Sequence, residues 1–262
     1  MNTWADRYRL LTFGIVVAAA EVAALLARLG REATPFALVL IPPMAALVVT
    51  GLSSGLAGIR RLLARLGRWR VGGRWYLAAV GIPLIATLAI DAVGLLLGAA
   101  SLDRLVGALT ASALLIPVVV VVPAMLEELG WRGFAVQAAV DAGHSPGWAA
   151  SVVGLMFVSV HIPLHLPGQI YDSLPLWPLP VTLLAYAVLL TWIYLRTGGS
   201  VLLAGLMHAA LNATLPLTWG LDPRWAWQAR AGVFGVIAAL VMVISGWTWW
   251  RSSMRTRRLT DE

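Results

Sequence analysis

The chain has 262 residues, 60% of them hydrophobic and only 12% charged, with a mean hydropathy of +0.84 and a formal net charge of +7. Soluble domains are about a quarter charged. A water-soluble fold of this length cannot hide so much apolar surface, so composition leaves lipid as the solvent. The absence of cysteine excludes disulfides, thiolate nucleophiles and cysteine metal sites.

All 19 basic residues are arginine. They lie between hydrophobic runs, where arginine marks the cytoplasmic side of a membrane and meets anionic headgroups, so no nucleic-acid partner is expected. The runs extend from end to end, which predicts one membrane domain over 1–262. A spanning helix needs about 20 mostly apolar residues. Taken in order, the expected spans are 10–27, 35–52, 75–98, 105–126, 148–162, 176–195, 201–218 and 231–250, an all-α bundle of about eight transmembrane helices. The first follows Arg7 and Arg9, but it is longer than a signal-peptide core and contains Glu21, so a retained helix is expected. The fifth is short and is expected to run on toward Leu166 or to be sheltered by its neighbours.

With the N-terminus in the cytoplasm, 14 arginines fall on the inner side and 5 (Arg28, Arg31, Arg104, Arg224 and Arg230) on the outer. This bias supports an even number of spans with both termini cytoplasmic. The stretch 55–75 interleaves Ile59, Leu62, Leu63 and Leu66 with arginines and reads as a basic amphipathic helix on the inner leaflet. Trp247, Trp249 and Trp250 read as an interfacial belt.

Ionisable groups inside spans cost about 2.5–3.5 kcal/mol each on insertion scales, so they mark candidate sites. The first cluster is Glu127-Glu128-Leu129-Gly130-Trp131-Arg132, after the apolar run 114–126. Two adjacent carboxylates there cannot both ionise cheaply. On a helix Glu128 and Arg132 share a face, and Glu127 is turned about 100° away. Arg132 can therefore hold Glu128 charged, leaving Glu127 aimed at a cavity as a general base. The competing reading is a charge cluster at a helix end.

The second cluster is Phe157-Val158-Ser159-Val160-His161, with His165 four residues on. Pro163 and Pro167 interrupt regular helix there, and no HExxH pattern occurs, so no metal site is expected. The third is His208-Ala209-Ala210-Leu211-Asn212, in which His208 and Asn212 share a helix face. Structural hydrogen bonding between helices competes with function at both sites. Together the clusters supply a carboxylate, two imidazoles and an amide, the parts for activating water and stabilising an oxyanion. Glu21 and Asp91 lie in other spans and receive no role.

The ordered motifs EExxxR, FxxxH and HxxxN, each in or beside a hydrophobic span, resemble the CPBP intramembrane endopeptidases. That family includes the type II CAAX prenyl proteases and bacterial bacteriocin-processing or immunity proteins. The matching core is about 113–216. The resemblance implies that Glu127 is the catalytic glutamate, His161 its partner, His208 and Asn212 the oxyanion-stabilising pair, and Glu128 and Arg132 supporting residues. It implies a glutamic peptidase with no metal and no cofactor, acting on a peptide or protein at the membrane. Multi-pass insertion in a bacterial cell membrane is expected, with oligomeric state open. The cavity is expected to open to the cytoplasm, with Glu127 at the inner end of the fourth span. His161 then falls near the outer end of the fifth, so a catalytic pairing requires one of those boundaries to move. A Glu/His-relay transporter and a non-catalytic binding or immunity protein are the rival readings.

Overall fold

The computed structural model describes residues 8–27, 30, 33–99, 103, 106 and 116–252. Most of the first half of the expected fourth span lies outside the described residues, as do Arg7, Arg28, Arg31, Arg104, Arg255, Arg257 and Arg258. Among the described residues the protein is all-α, with no strand.

The chain runs through α1 (Arg9–Leu26), α2 (Ala33–Leu63) with a 3-10 turn at Ala64–Gly67, and α3 (Gly73–Leu96). Next, α4 (Ile116–Glu128) continues through a π-helical stretch, Leu129–Val136, into α5 (Gln137–Asp141). α6 (Pro146–Ser159) and a 3-10 turn at Ile162–His165 precede α7 (Pro178–Arg196) and α8 (Val201–Ala213). A 3-10 turn at Pro216–Gly220 leads to α9 (Pro223–Ile244) and the short α10 (Trp247–Arg251).

Among the described residues five helical segments, Arg9–Leu26, Ala33–Gly67, Gly73–Leu96, Pro178–Arg196 and Pro223–Ile244, are long and apolar enough to cross a membrane. Leu26, Leu52, Leu56, Ile85, Leu96 and Ile244 are each more than two-thirds exposed. An outward apolar surface of this kind suits acyl chains and not water. The chain is a polytopic helical membrane protein.

Two expected spans are shorter than the apolar runs suggest. The stretch 148–162 gives the 14-residue α6, and 201–218 gives the 13-residue α8. Each is roughly 20 Å long at 1.5 Å per residue. Turn chemistry sets their starts: the Ser145 hydroxyl accepts the Trp148 N–H, and the Ser200 hydroxyl accepts the Leu203 N–H. Their neighbours shelter them. α6 packs on α7, and α8 lies against α3, α4 and α7.

The expected last span, 231–250, instead begins at Pro223, where the Asp222 carboxylate accepts the Trp225 N–H. It stops at Ile244, before Gly246 turns the chain at φ 87°. The expected tryptophan belt does not form as one row. Trp247 is 60% exposed, whereas Trp250 is turned inward and buried. The stretch 55–75 is set off from the first part of α2 by a break at Gly55 (φ 57°, ψ −161°). Its helical residues run to Gly67 with Arg60 and Arg61 exposed and Leu62 buried, an amphipathic pattern; residues 73–75 already belong to α3.

The element that matters most for the site is the uninterrupted helical run from Ile116 to Asp141. It does not end near Arg132, as the apolar pattern implied, because Arg132 is wholly buried and paired. A Cβ on Gly130 would stand 2.5 Å from the Pro42 carbonyl carbon, so only glycine lets α2 approach here. Gly205 of α8 lies against the Met125 side chain of α4, whose Sδ would stand 2.3 Å from a Cβ there. The π-helical stretch and α5 therefore stay deep in the bundle. Glu127 stands 14 positions before the end of α5 (127 to 141), and His161 stands 15 after the start of α6 (146 to 161). The two antiparallel arms bring both residues to roughly 20 Å from the connecting turn.

Candidate active site

Glu127, His161, His208 and Asn212 line one cavity of about 330 Å³. They come from α4, the residues just after α6, and α8. The cavity is walled mostly by apolar and aromatic groups, among them Leu38, Phe157, Leu183 and Trp227. Glu127 and His208 are buried, and His161 is half-buried. The depth conflict between Glu127 and His161 is thus resolved by moving the boundary of the fourth helix.

Phe157, one turn before His161, organises the two imidazoles. Its ring lies edge-on to His161 at 4.6 Å and to His208 at 5.8 Å between centroids. The two rings differ in what holds Nδ1. His161 Nδ1 donates to the Phe157 carbonyl at 2.8 Å, which leaves Nε2 with its lone pair. His208 Nδ1 donates to Glu128 Oε1 at 2.8 Å. Arg132 Nη1 donates to that same oxygen at 2.9 Å. Glu128 and Arg132 are both fully buried. Their pairing at four-residue spacing is the expected one, and the attachment of His208 to the same carboxylate is new.

His165 stands apart. The 3-10 turn carrying Pro163 redirects it to Tyr171 and Trp227, with ring centroids 5.5 and 5.9 Å away. No group of three histidine or acidic side chains is arranged to hold a metal among the described residues.

Two side chains of the cavity wall escaped the sequence reading, Tyr186 and Arg230. Arg230 reads in the sequence as a loop arginine, yet it is only 3% exposed and sits inside α9. The pair Asp222-Pro223, an N-cap followed by proline at the first helical position, was the signal that could have moved the helix start and drawn Arg230 inward.

The cavity lies at the end of the bundle where α2, α7 and α9 begin and α8 ends, as Pro35, Leu179, Trp227 and Leu215 show. The arginines gather at the other end. There Arg65 donates to Gln137 and to the Tyr194 hydroxyl, Arg68 to the Gly198 carbonyl, and Arg196 to the Ser245 carbonyl. The cavity thus lies at the end of the bundle away from these arginines.

Fold and cavity together define a multi-pass membrane protein that keeps a carboxylic acid and two imidazoles inside its helical bundle. Residues 109–214 match the family described as Type II CAAX prenyl endopeptidase Rce1-like, which makes this part of the chain CAAX-protease-like and indicates a membrane peptidase. The match covers all three motifs. No curated protein matches the chain.

Proposed function

We propose that the protein is a glutamic intramembrane endopeptidase, needing no metal, that cuts a peptide bond of a membrane-associated substrate. The observation that carries this reading is the convergence of Glu127, His161, His208 and Asn212 on one cavity. Glu127 takes a proton from a water, assisted by the free Nε2 of His161. The water oxygen bonds to the peptide carbonyl carbon, and the carbonyl oxygen becomes an oxyanion. His208 through Nε2–H and Asn212 through its amide stabilise that charge. Glu127 then returns its proton to the departing nitrogen, the C–N bond breaks, and an amine and a carboxylic acid leave, the acid giving up its remaining proton to solvent.

Glu128 and Arg132 position His208. Residues 113–216 form the catalytic core of a single membrane domain, and the chain crosses a bacterial cell membrane as about eight helical segments with both termini in the cytoplasm. The test is Glu127→Gln in cells, with membrane and secreted peptides compared against the native protein. The native chain produces a new peptide terminus that the variant lacks, while both accumulate in the membrane to the same level. Wild-type cleavage by Glu127→Gln sinks the assignment.

A further inference from the structure

Among the described residues the bundle buries two arginines, and they are treated differently. Arg132 faces a carboxylate at 2.9 Å. Arg230, on α9, has only neutral acceptors: Nε donates to the Tyr186 hydroxyl at 2.6 Å and Nη2 to the Leu211 carbonyl at 2.7 Å. Nη1 has no partner, and no carboxylate lies within 4 Å of this guanidinium among the described residues. The rings of Phe234 and Tyr186 flank it at 5.3 and 5.9 Å. Asp91, on α3, is the acidic group that faces Arg230 electrostatically. It stays beyond ion-pair reach and lines neither cavity that Arg230 borders.

Buried cations are ordinarily paired, because an uncompensated charge in a low-dielectric wall is costly. Arg230 is not a remote exception. It borders the cavity of Glu127 and His161 and also a second cavity of about 380 Å³, which shares Ile170, Tyr171, Leu215 and Trp227 with the first. Its Nη2 bond to Leu211 fixes the guanidinium beside the residue preceding Asn212. A peptide running from one cavity into the other passes the wall that carries this guanidinium, whose Nη1 is buried and without a partner among the described residues.

We infer that Arg230 is a specificity-determining residue that binds a carboxylate of the substrate, holding the segment on one side of the cut bond in the second cavity. Resting on the peptidase reading, the inference adds a chemical demand that the proposed mechanism does not make. The carboxylate is either the C-terminus of the peptide or an acidic side chain near the cut. A guanidinium recognises both through paired N–H donors.

The experiment uses the full-length protein in nanodiscs and one apolar peptide sequence made in three forms: free C-terminal acid, C-terminal amide, and amide with an aspartate near the C-terminus. Binding is read by fluorescence polarisation in the Glu127→Gln background, and kcat/KM is read in the active protein. The acid form, the aspartate form, or both bind about tenfold to a hundredfold tighter than the plain amide, as expected for hydrogen bonds to a charged group. Preference for the acid form alone identifies the C-terminus; preference for the aspartate form identifies the side chain. Arg230→Gln collapses that ratio to near one, and Arg230→Lys restores part of it. Thermal unfolding of Arg230→Gln in the same nanodiscs, with a midpoint near the native one, separates a lost contact from misfolding. A wild-type ratio near one, or a ratio that Arg230→Gln leaves unaltered, overturns the inference. Carboxylate-selective binding without any cleavage keeps the anchor and removes the peptidase; cleavage without carboxylate preference does the reverse.

Discussion

His208 Nδ1 donates to Glu128 Oε1 at 2.8 Å, on the oxygen that also accepts from Arg132. The second glutamate of the pair is thereby tied to the third motif and is not a spare acid beside Glu127. One carboxylate connects α4, the π-helical stretch and α8 inside a water-poor interior, and the orientation of the His208 ring follows from it.

Glu128 and Glu127 should therefore respond differently to the same change. Glu128→Ala leaves Arg132 buried without its counter-ion, a loss of about 3–5 kcal/mol for a broken buried pair. Thermal unfolding in detergent should show a large drop for Glu128→Ala and for Arg132→Ala. Glu127→Gln should unfold close to the native midpoint while losing cleavage. Equal destabilisation by Glu127→Gln and Glu128→Ala would mean that both carboxylates are structural.

The two imidazoles should also separate by kinetic signature. His161 carries its lone pair on Nε2, so His161→Gln removes a proton acceptor, a loss of about 10²–10⁴ in kcat. Asn212→Ala removes an oxyanion donor, with about 10²–10³ in kcat and little change in KM. Pairing Asn212→Ala with His208→Gln should cost less than the product of the single losses, because both act on one developing charge. Single-turnover cleavage of one peptide by all four proteins checks this.

The membrane class and the three motifs were legible because both rest on short-range chemistry: apolar runs of spanning length, and polar groups at helical spacing inside them. The Glu128–Arg132 pair followed from four-residue periodicity alone. Helix ends were less legible. Gly130-Trp131-Arg132-Gly133 has the composition of a helix terminus, and only the tertiary pairing of Arg132 and the close approach of Pro42 keep the run continuous. Arg230 was misplaced for the related reason that an arginine beside an apolar run looks like a loop residue until its buried partners on α7 and α8 are known. The link from Glu128 to His208 spans 80 positions and no local pattern encodes it.

Gly130 offers a test of that tertiary control. A methyl group there meets the Pro42 backbone, which cannot rotate away as a flexible side-chain end could. Gly130→Ala should cost about 1–3 kcal/mol as overpacking. The strain falls three residues from Glu127, so activity should fall with stability. Proline scanning is not required; the unfolding midpoint and cleavage rate of this one variant suffice, and a native-like midpoint would show that α2 is free to retreat.

The position of the cavity makes sidedness the remaining question, and the absence of cysteine allows a direct answer. Asp172 is exposed in the segment between α6 and α7, at the cavity end, and Arg70 is exposed between α2 and α3, at the arginine-rich end. Setting aside the buried Arg132 and Arg230, the inner-to-outer bias is still thirteen to four, which favours the arginine-rich end inside. Asp172→Cys should then react with a membrane-impermeant maleimide in intact cells, and Arg70→Cys only after the membrane is opened. That outcome puts the mouth of the site on the outer face and directs the search for substrates to peptides exposed there. The reverse labelling pattern would turn the bundle over, restore a cytoplasmic mouth, and require the arginine bias to be explained by something other than topology.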